Sequence, residues 1–364
     1  VFAAAVACLT FAVATAFHPG FLAPAETVRW IVITAGAPLL WCFAPSPRID
    51  PAIRRCGLAF LAWAALTLVW TPAFLDGVEA MVHWLALGAV FALGAALARL
   101  DGVLIAIALG AAVNGFVAFS QSFVNVPPIG LLANRNLLAE IGLFGTLAAL
   151  CLARRWWPLL LLPLTMTALV AATWPPIHKT VIVGAGMAVL ALAIRGRRYV
   201  LAGFGGLAVA AAVMAVAWTT GRMTSLTYRI AVWQDTISGL TPWGRGVGSF
   251  AVVFQGLSDE TQGDLLTSTR LVAVAYNDLL TTALETGLAA LLPAGIAAVA
   301  LWRGINHDGD RAAYLVFAAW LGLGLVNYPL HAPASAFIGA LVAGYLCRDR
   351  DRLCDRTVGG GEPP

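Results

Sequence analysis

Charge is what this sequence has least of. Of its 364 residues, 11% are Asp, Glu, Lys or Arg and 60% are hydrophobic, with a mean hydropathy of +0.86. Soluble domains carry roughly a quarter charged residues, so an ordinary soluble domain is excluded. No basic stripe interleaved with aromatics is present, which argues against nucleic acid as a partner. Histidine is scarce: the five residues form no HxxxH pair and no His-plus-carboxylate cluster at ligand spacing, so no metal centre is expected. Of the six cysteines, Cys42, Cys56, Cys151, Cys347 and Cys354 fall at same-side ends of apolar stretches or in the loops and tail on that side, and Cys8 lies within a stretch. No disulfide framework is therefore expected, and Cys347 and Cys354 lack partners for a zinc site.

What is there instead is a succession of apolar stretches of about 17–25 residues, the length that crosses a bilayer as a helix. They run roughly over 1–17, 28–44, 57–75, 78–98, 102–124, 137–153, 156–173, 178–194, 199–218, 272–301, 312–327 and 331–347. The pattern predicts an all-α polytopic membrane protein with about twelve transmembrane helices. No cleavage-site pattern follows the first stretch, which reads as a retained span. With the N-terminus inside, alternate loops divide the basic residues 15 inside against 7 outside, the latter being Arg29, Arg135, Lys179, Arg222, Arg229, Arg245 and Arg270. This bias puts both termini inside and the longest polar interval outside. The expected organisation is a bundle over 1–218, an outside loop over 219–271, further spans over 272–347, and an inside tail over 348–364. For Arg29 and Arg222, snorkelling of the charge into the headgroups and a functional role both stay open.

The outside loop carries the chemistry-bearing residues. An amphipathic helix is predicted over Tyr228 to Leu240, with Arg229 and Trp233 four apart on one face. It leads into a turn rich in Pro and Gly (Pro242, Gly244, Arg245, Gly246, Gly248), whose backbone N–H groups could cradle a phosphate. Upstream, Asn134-Arg135-Asn136 opens a helix. Its N-terminus and Arg135 together attract an anion, though a plain cap explains it as well. Glu140, about one turn further in, is an intramembrane carboxylate of the kind that is paired or functional. Lys179 stands at the start of a helix, where a cation opposes the dipole; an interfacial lysine is the alternative. Downstream, Tyr276-Asn277 is followed after nine residues by Gly287.

These three segments, NRNLLAE, RIAVWQD with TPWGRGVGSF, and YNDLLTTALETG, in this order and with the long loop late in the chain, resemble the O-antigen ligase and O-antigen polymerase family of bacterial envelope glycosyltransferases. The resemblance covers most of the chain. It implies a multi-pass inner-membrane protein with cytoplasmic termini and a periplasmic loop, acting in lipopolysaccharide biosynthesis. It implies metal-independent inverting transfer, without a cofactor, of an undecaprenyl-pyrophosphate-linked glycan to an acceptor hydroxyl on lipid A core, another glycan or a protein. By motif position Arg229 matches the loop arginine that binds pyrophosphate, and Lys179 stands where an arginine is usual. Tyr276, beside Asn277, occupies the position of the base histidine. Arg245, Arg135, Asn136, Arg270, Trp233 and His331 complete the candidate substrate-binding set.

The tyrosine is a departure with chemical consequences. A phenol ionises near ~10 and an imidazole near ~6.5, so Tyr276 is a poor general base at neutral pH unless a cation activates it. Three readings stay open. Arg229 or Arg270 activates Tyr276; His331, His178 or Asp278 takes the role; or the protein is an inactive subunit that binds a lipid-linked glycan without transferring it. A transporter of a small anion is a further alternative, although no inverted repeat or set of midplane charges is visible.

Overall fold

The structure is a computed structural model, and it describes residues 1–47, 49–124, 126–152, 160–173, 224–257, 272–306 and 311–348. Among these residues the chain is all-helical. The helices are α1 (Phe2–Thr15), α2 (Glu26–Trp41), α3 (Pro51–Thr67), α4 (Phe74–Ala96), α5 (Asp101–Phe123), α6 (Arg135–Cys151), α7 (Leu162–Thr173), α8 (Thr224–Ser238), α9 (Phe250–Gln255), α10 (Asp278–Thr286), α11 (Leu291–Asn306), α12 (Arg311–Gly324) and α13 (Pro333–Leu346). A helix lies in every expected apolar stretch that falls within the described residues. The stretches 178–194 and 199–218, loop residues 258–271 and the tail beyond 348 lie outside them.

Among the described residues, three helical segments are long and apolar enough to cross a membrane: Phe74–Ala96, Asp101–Phe123 and Asp278–Gly304. Several helices start later or stop earlier than the sequence stretches suggested, among them Phe2–Thr15, Arg311–Gly324 and Pro333–Leu346. The stretch expected from 28 to 44 stops at Trp41, soon after an internal Pro38. The stretch expected to start at 272 becomes helical only at Asp278, where Asn277 caps it through Leu280 N–H at 3.0 Å. The amphipathic helix, expected over 228–240, runs over Thr224–Ser238.

The core is built by α1, α4, α5, α6, α12 and α13 around Leu93, Ile107, Phe144, Phe317 and Phe337, all buried. Helices α4 and α13 approach backbone to backbone. A Cβ on Gly94 would stand 2.0 Å from the Leu341 carbonyl oxygen, and one on Gly344 would stand 1.8 Å from that of Phe91. Only glycine admits this separation, which replaces side-chain bulk by main-chain van der Waals contact.

Polar contacts gather at the two ends of this bundle. At one end, Arg303 pairs with Asp50 at 2.7 Å and donates to the Cys347 carbonyl at 2.9 Å. Arg348 there donates to the carbonyls of Leu97 and Ala98. At the other end lie residues 70–77, 129–136, 241–249, 275–278 and 325–331, described below. Arg29, for which snorkelling was one expectation, is instead 1% exposed. Its guanidinium donates to the carbonyls of Val13 (2.8 Å), Ala25 (3.1 Å), Leu131 (3.2 Å) and Ala14 (3.3 Å). It is an internal tie between α1, α2 and the segment before α6.

Candidate functional site

Two side chains on one face of α8 hold the strand of chain that precedes α10. Trp233 Nε1 donates to the Ala275 carbonyl at 2.8 Å. Arg229 lies over the Tyr276 ring, 5.1 Å from its centroid, and donates to the Val326 carbonyl. Their spacing of four residues puts both on the same helical face, as the sequence predicted. Arg229 is half-buried. Burial pulls its pKa below the ordinary arginine value, while Tyr276, Tyr328 and Glu140 pull it back.

Tyr276 adopts φ +53°, a left-handed conformation rare for a non-glycine residue. Its ring meets Tyr228 and Tyr328 edge-on, at 6.0 and 5.8 Å between centroids. The tyrosine is thus a packing centre under a cation, held in a strained backbone. Asn277 is tethered at both ends of its amide: Oδ1 caps α10, and Nδ2 donates to the Leu325 carbonyl at 3.0 Å.

The turn 325–331 is where separate parts of the chain converge. Asn134 Nδ2 donates to Tyr328 Oη at 3.4 Å. Glu140, fully buried, accepts from Asn327 Nδ2 and from Ser335 Oγ, the latter at 2.6 Å. This buried carboxylate is therefore paired, as the cost of burying a charge requires. Asp278 accepts from Leu330 N–H at 2.9 Å and lies 3.1 Å from His331 Nδ1. Burial alone would lower the His331 pKa; the hydrogen bond and charge of Asp278, with Glu285, outweigh it and raise the pKa above the ordinary value.

The glycine-rich turn does not offer its amides to a phosphate. Arg245 and Gly246 N–H donate to the Leu284 and Glu285 carbonyls at 2.8 and 2.9 Å, and Val247 N–H to Thr67 Oγ1 at 2.9 Å. The amides of Gly248 and Phe250 go to the Glu285 carboxylate. The turn does cradle an acidic side chain, but one from its own chain. Close backbone approach explains the glycines: a Cβ on Gly244 (φ +78°) would stand 2.2 Å from the Glu285 carbonyl oxygen.

Arg245 points elsewhere. It is exposed, anchors its Nε on the Gly239 carbonyl at 3.1 Å, and lines a cavity of about 840 Å³ with Trp63, Trp70, Trp243 and Thr241. Arg245 N–H meets α10 near its C-terminal end, whereas Arg229 sits beside its N-terminal end. Their contacts thus lie toward opposite ends of α10, and no described contact joins the two side chains. A second cavity, about 290 Å³, is lined by Asp76, Glu79, His83, Glu285, His331 and Trp30. Trp30 stacks on His83 at 3.7 Å there.

Arg135 and Asn136 are half-buried in the first turn of α6, and no described hydrogen bond or ion pair joins their side chains to Arg229 or Tyr276. Lys179, His178, Arg222 and Arg270 lie outside the described residues. Sequence reasoning read Asn134 as a helix cap, which it is, with Oδ1 accepting from Asn136 N–H at 2.8 Å; it missed the turn 325–331 as the meeting point, and Tyr328 and Asn327 within the cluster. Polar residues flanking Pro329 between two apolar stretches were the available signal. Among the described residues, no group of three or more metal-ligating side chains could hold a metal ion. No family model matches the chain, and no curated protein matches it.

Proposed function

We propose that the chain is a membrane glycosyltransferase of the O-antigen ligase or polymerase type, moving an undecaprenyl-pyrophosphate-linked glycan to an acceptor hydroxyl. The observation that carries this reading is convergence. The segments that resemble the family lie around residues 134–140, 229–233 and 276–278, and all meet at the turn 325–331. A family resemblance made of unrelated local matches would have no reason to assemble.

In this reading Arg229 stabilises the departing pyrophosphate. A half-buried guanidinium fixed by an aromatic ring and a carbonyl is a preorganised cation, and such groups stabilise developing negative charge without reorganisation. Tyr276 and Asn277 set its position. Arg245, in its tryptophan-lined cavity, meets the lipid carrier or glycan at a second place. The topology proposed with it is about twelve spans in the bacterial inner membrane, a periplasmic loop and cytoplasmic termini. The segregation of loops 70–77, 129–136, 241–249 and 325–331 at one end, away from Asp50, Arg303 and Arg348, supports it.

The test is transfer from lipid-linked glycan by purified protein in liposomes, together with labelling of single cysteines at Thr241 and Arg356 in intact cells to report sidedness. Transfer that depends on Arg229, with Thr241→Cys labelled from the periplasm and Arg356→Cys protected, is expected. Full activity in Arg229→Ala, or labelling of the tail alone, overturns the reading.

A further inference from the structure

The acceptor side of the reaction has its own groups in this fold. Asp278 opens α10 and is 8% exposed. One carboxylate oxygen accepts from Leu330 N–H at 2.9 Å, and the other faces His331 Nδ1 at 3.1 Å. A carboxylate that holds Nδ1–H fixes the tautomer and leaves Nε2 as the acceptor. His331 also lines the cavity of about 290 Å³ between α4, α10 and the turn before α13. Carboxylates dominate that cavity: Asp76 and Glu79 at its rim, and Glu285 within. Trp30 and Trp84 give it aromatic wall. Tyr276, by contrast, is committed to its aromatic neighbours and to Arg229.

We propose that His331, held by Asp278, is the general base of the transfer, and that the cavity it lines binds the acceptor as a hydroxyl-bearing sugar without phosphate. The proposal rests on the glycosyltransferase reading and adds the residue and the acceptor class. Carboxylates accept hydrogen bonds from hydroxyls and repel anions, while aromatic faces suit the apolar face of a sugar ring. The donor's pyrophosphate is met on the other side, at Arg229, and both sides touch the one turn 325–331. In the step, the acceptor O–H gives its proton to His331 Nε2. The oxygen's electron pair forms the bond to the anomeric carbon, the carbon–oxygen bond to pyrophosphate breaks, and undecaprenyl pyrophosphate leaves with that electron pair. The imidazolium then returns its proton to water.

The charged and titratable groups facing His331 are Asp278 and Glu285 from α10 and Asp76, Glu79 and His83 from α4. With carboxylates prevailing, the base works above the ordinary histidine range. The wild-type rate is expected to rise with pH through a midpoint above ~6.5.

The experiment is single-turnover transfer from undecaprenyl-pyrophosphate-linked glycan extracted from source membranes, across a pH series, with binding of undecaprenyl pyrophosphate measured in parallel. H331Q and D278N are expected to lose about 10²–10⁴-fold in rate, to keep binding, and to lose the pH limb. Wild-type rate with an unchanged limb in H331Q overturns the base assignment. For the acceptor, methyl glucoside is expected to be used at least about tenfold better than its 6-phosphate. E79R, on the exposed rim, narrows that ratio whether or not the other two variants fold; equal use of both acceptors by the wild type overturns the acceptor class. A wild type that binds undecaprenyl pyrophosphate without transfer overturns the base. One that neither binds nor transfers overturns the glycosyltransferase reading itself.

Discussion

The guanidinium of Arg229 stands 5.1 Å from the centroid of the Tyr276 ring, so the cation expected to bind pyrophosphate and the tyrosine in the base position are one structural unit. A cation over an aromatic face is held electrostatically as well as sterically. Arg229→Lys keeps the charge but loses the planar stack and the forked donors. We expect it to lower transfer at least about tenfold while leaving folded yield unchanged. Single-turnover rates and size-exclusion profiles check both halves.

Tyr276→Phe preserves the ring contacts with Tyr228, Tyr328 and Arg229. If the ring matters more than the hydroxyl, the rate falls by less than about tenfold, well short of the ~10²–10⁴-fold that general base catalysis is worth. Tyr276→Ala removes the support and falls much further. The comparison is a rate ratio between the two variants.

Stability follows His331 in a definite direction. Its pKa is raised in the folded protein by Asp278 and Glu285 against the effect of burial. The pairing contributes fully below the ordinary histidine value of ~6.5 and fades as pH rises through the higher folded-state value. Melting of wild type and His331→Gln in detergent should therefore differ most near pH 6 and converge toward pH 9. A gap that widened with pH would contradict the assignment.

Arg29→Met removes a donor shared by four carbonyls; Ala14 keeps Asn114 Nδ2 and Ala25 keeps the main-chain N–H of residue 29, while Val13 and Leu131 lose theirs. A buried polar group left unsatisfied costs roughly 1–3 kcal/mol, so we expect at least about 2 kcal/mol of destabilisation. A residue that merely snorkelled would show almost none. Thermal unfolding of the purified variant is the measurement.

Helices were legible in the sequence because apolar composition marks them, and the face shared by Arg229 and Trp233 because helical periodicity fixes it. The start of α10 was not, since hydropathy does not register that Asn277 prefers to cap or that Tyr276 takes a left-handed φ. The cradle in TPWGRGVGSF was half legible. Glycines at that density do signal crowded backbone and converging amides, but composition could not reveal that Glu285, more than thirty residues on, supplies the acceptor. The role of Arg29 was hidden for a similar reason: its four carbonyl partners come from three places along the chain.

The Glu285 carboxylate in the glycine turn has a practical consequence for anyone building chimeras. The turn's shape is specified jointly by Thr67 and Thr71, by its own glycines, and by the last residues of α10. A loop grafted from another protein as a contiguous cassette would arrive without its carboxyl acceptor and without its hydroxyl partners. The smallest exchangeable module is discontinuous: the loop, α10 and the α3–α4 corner must travel together.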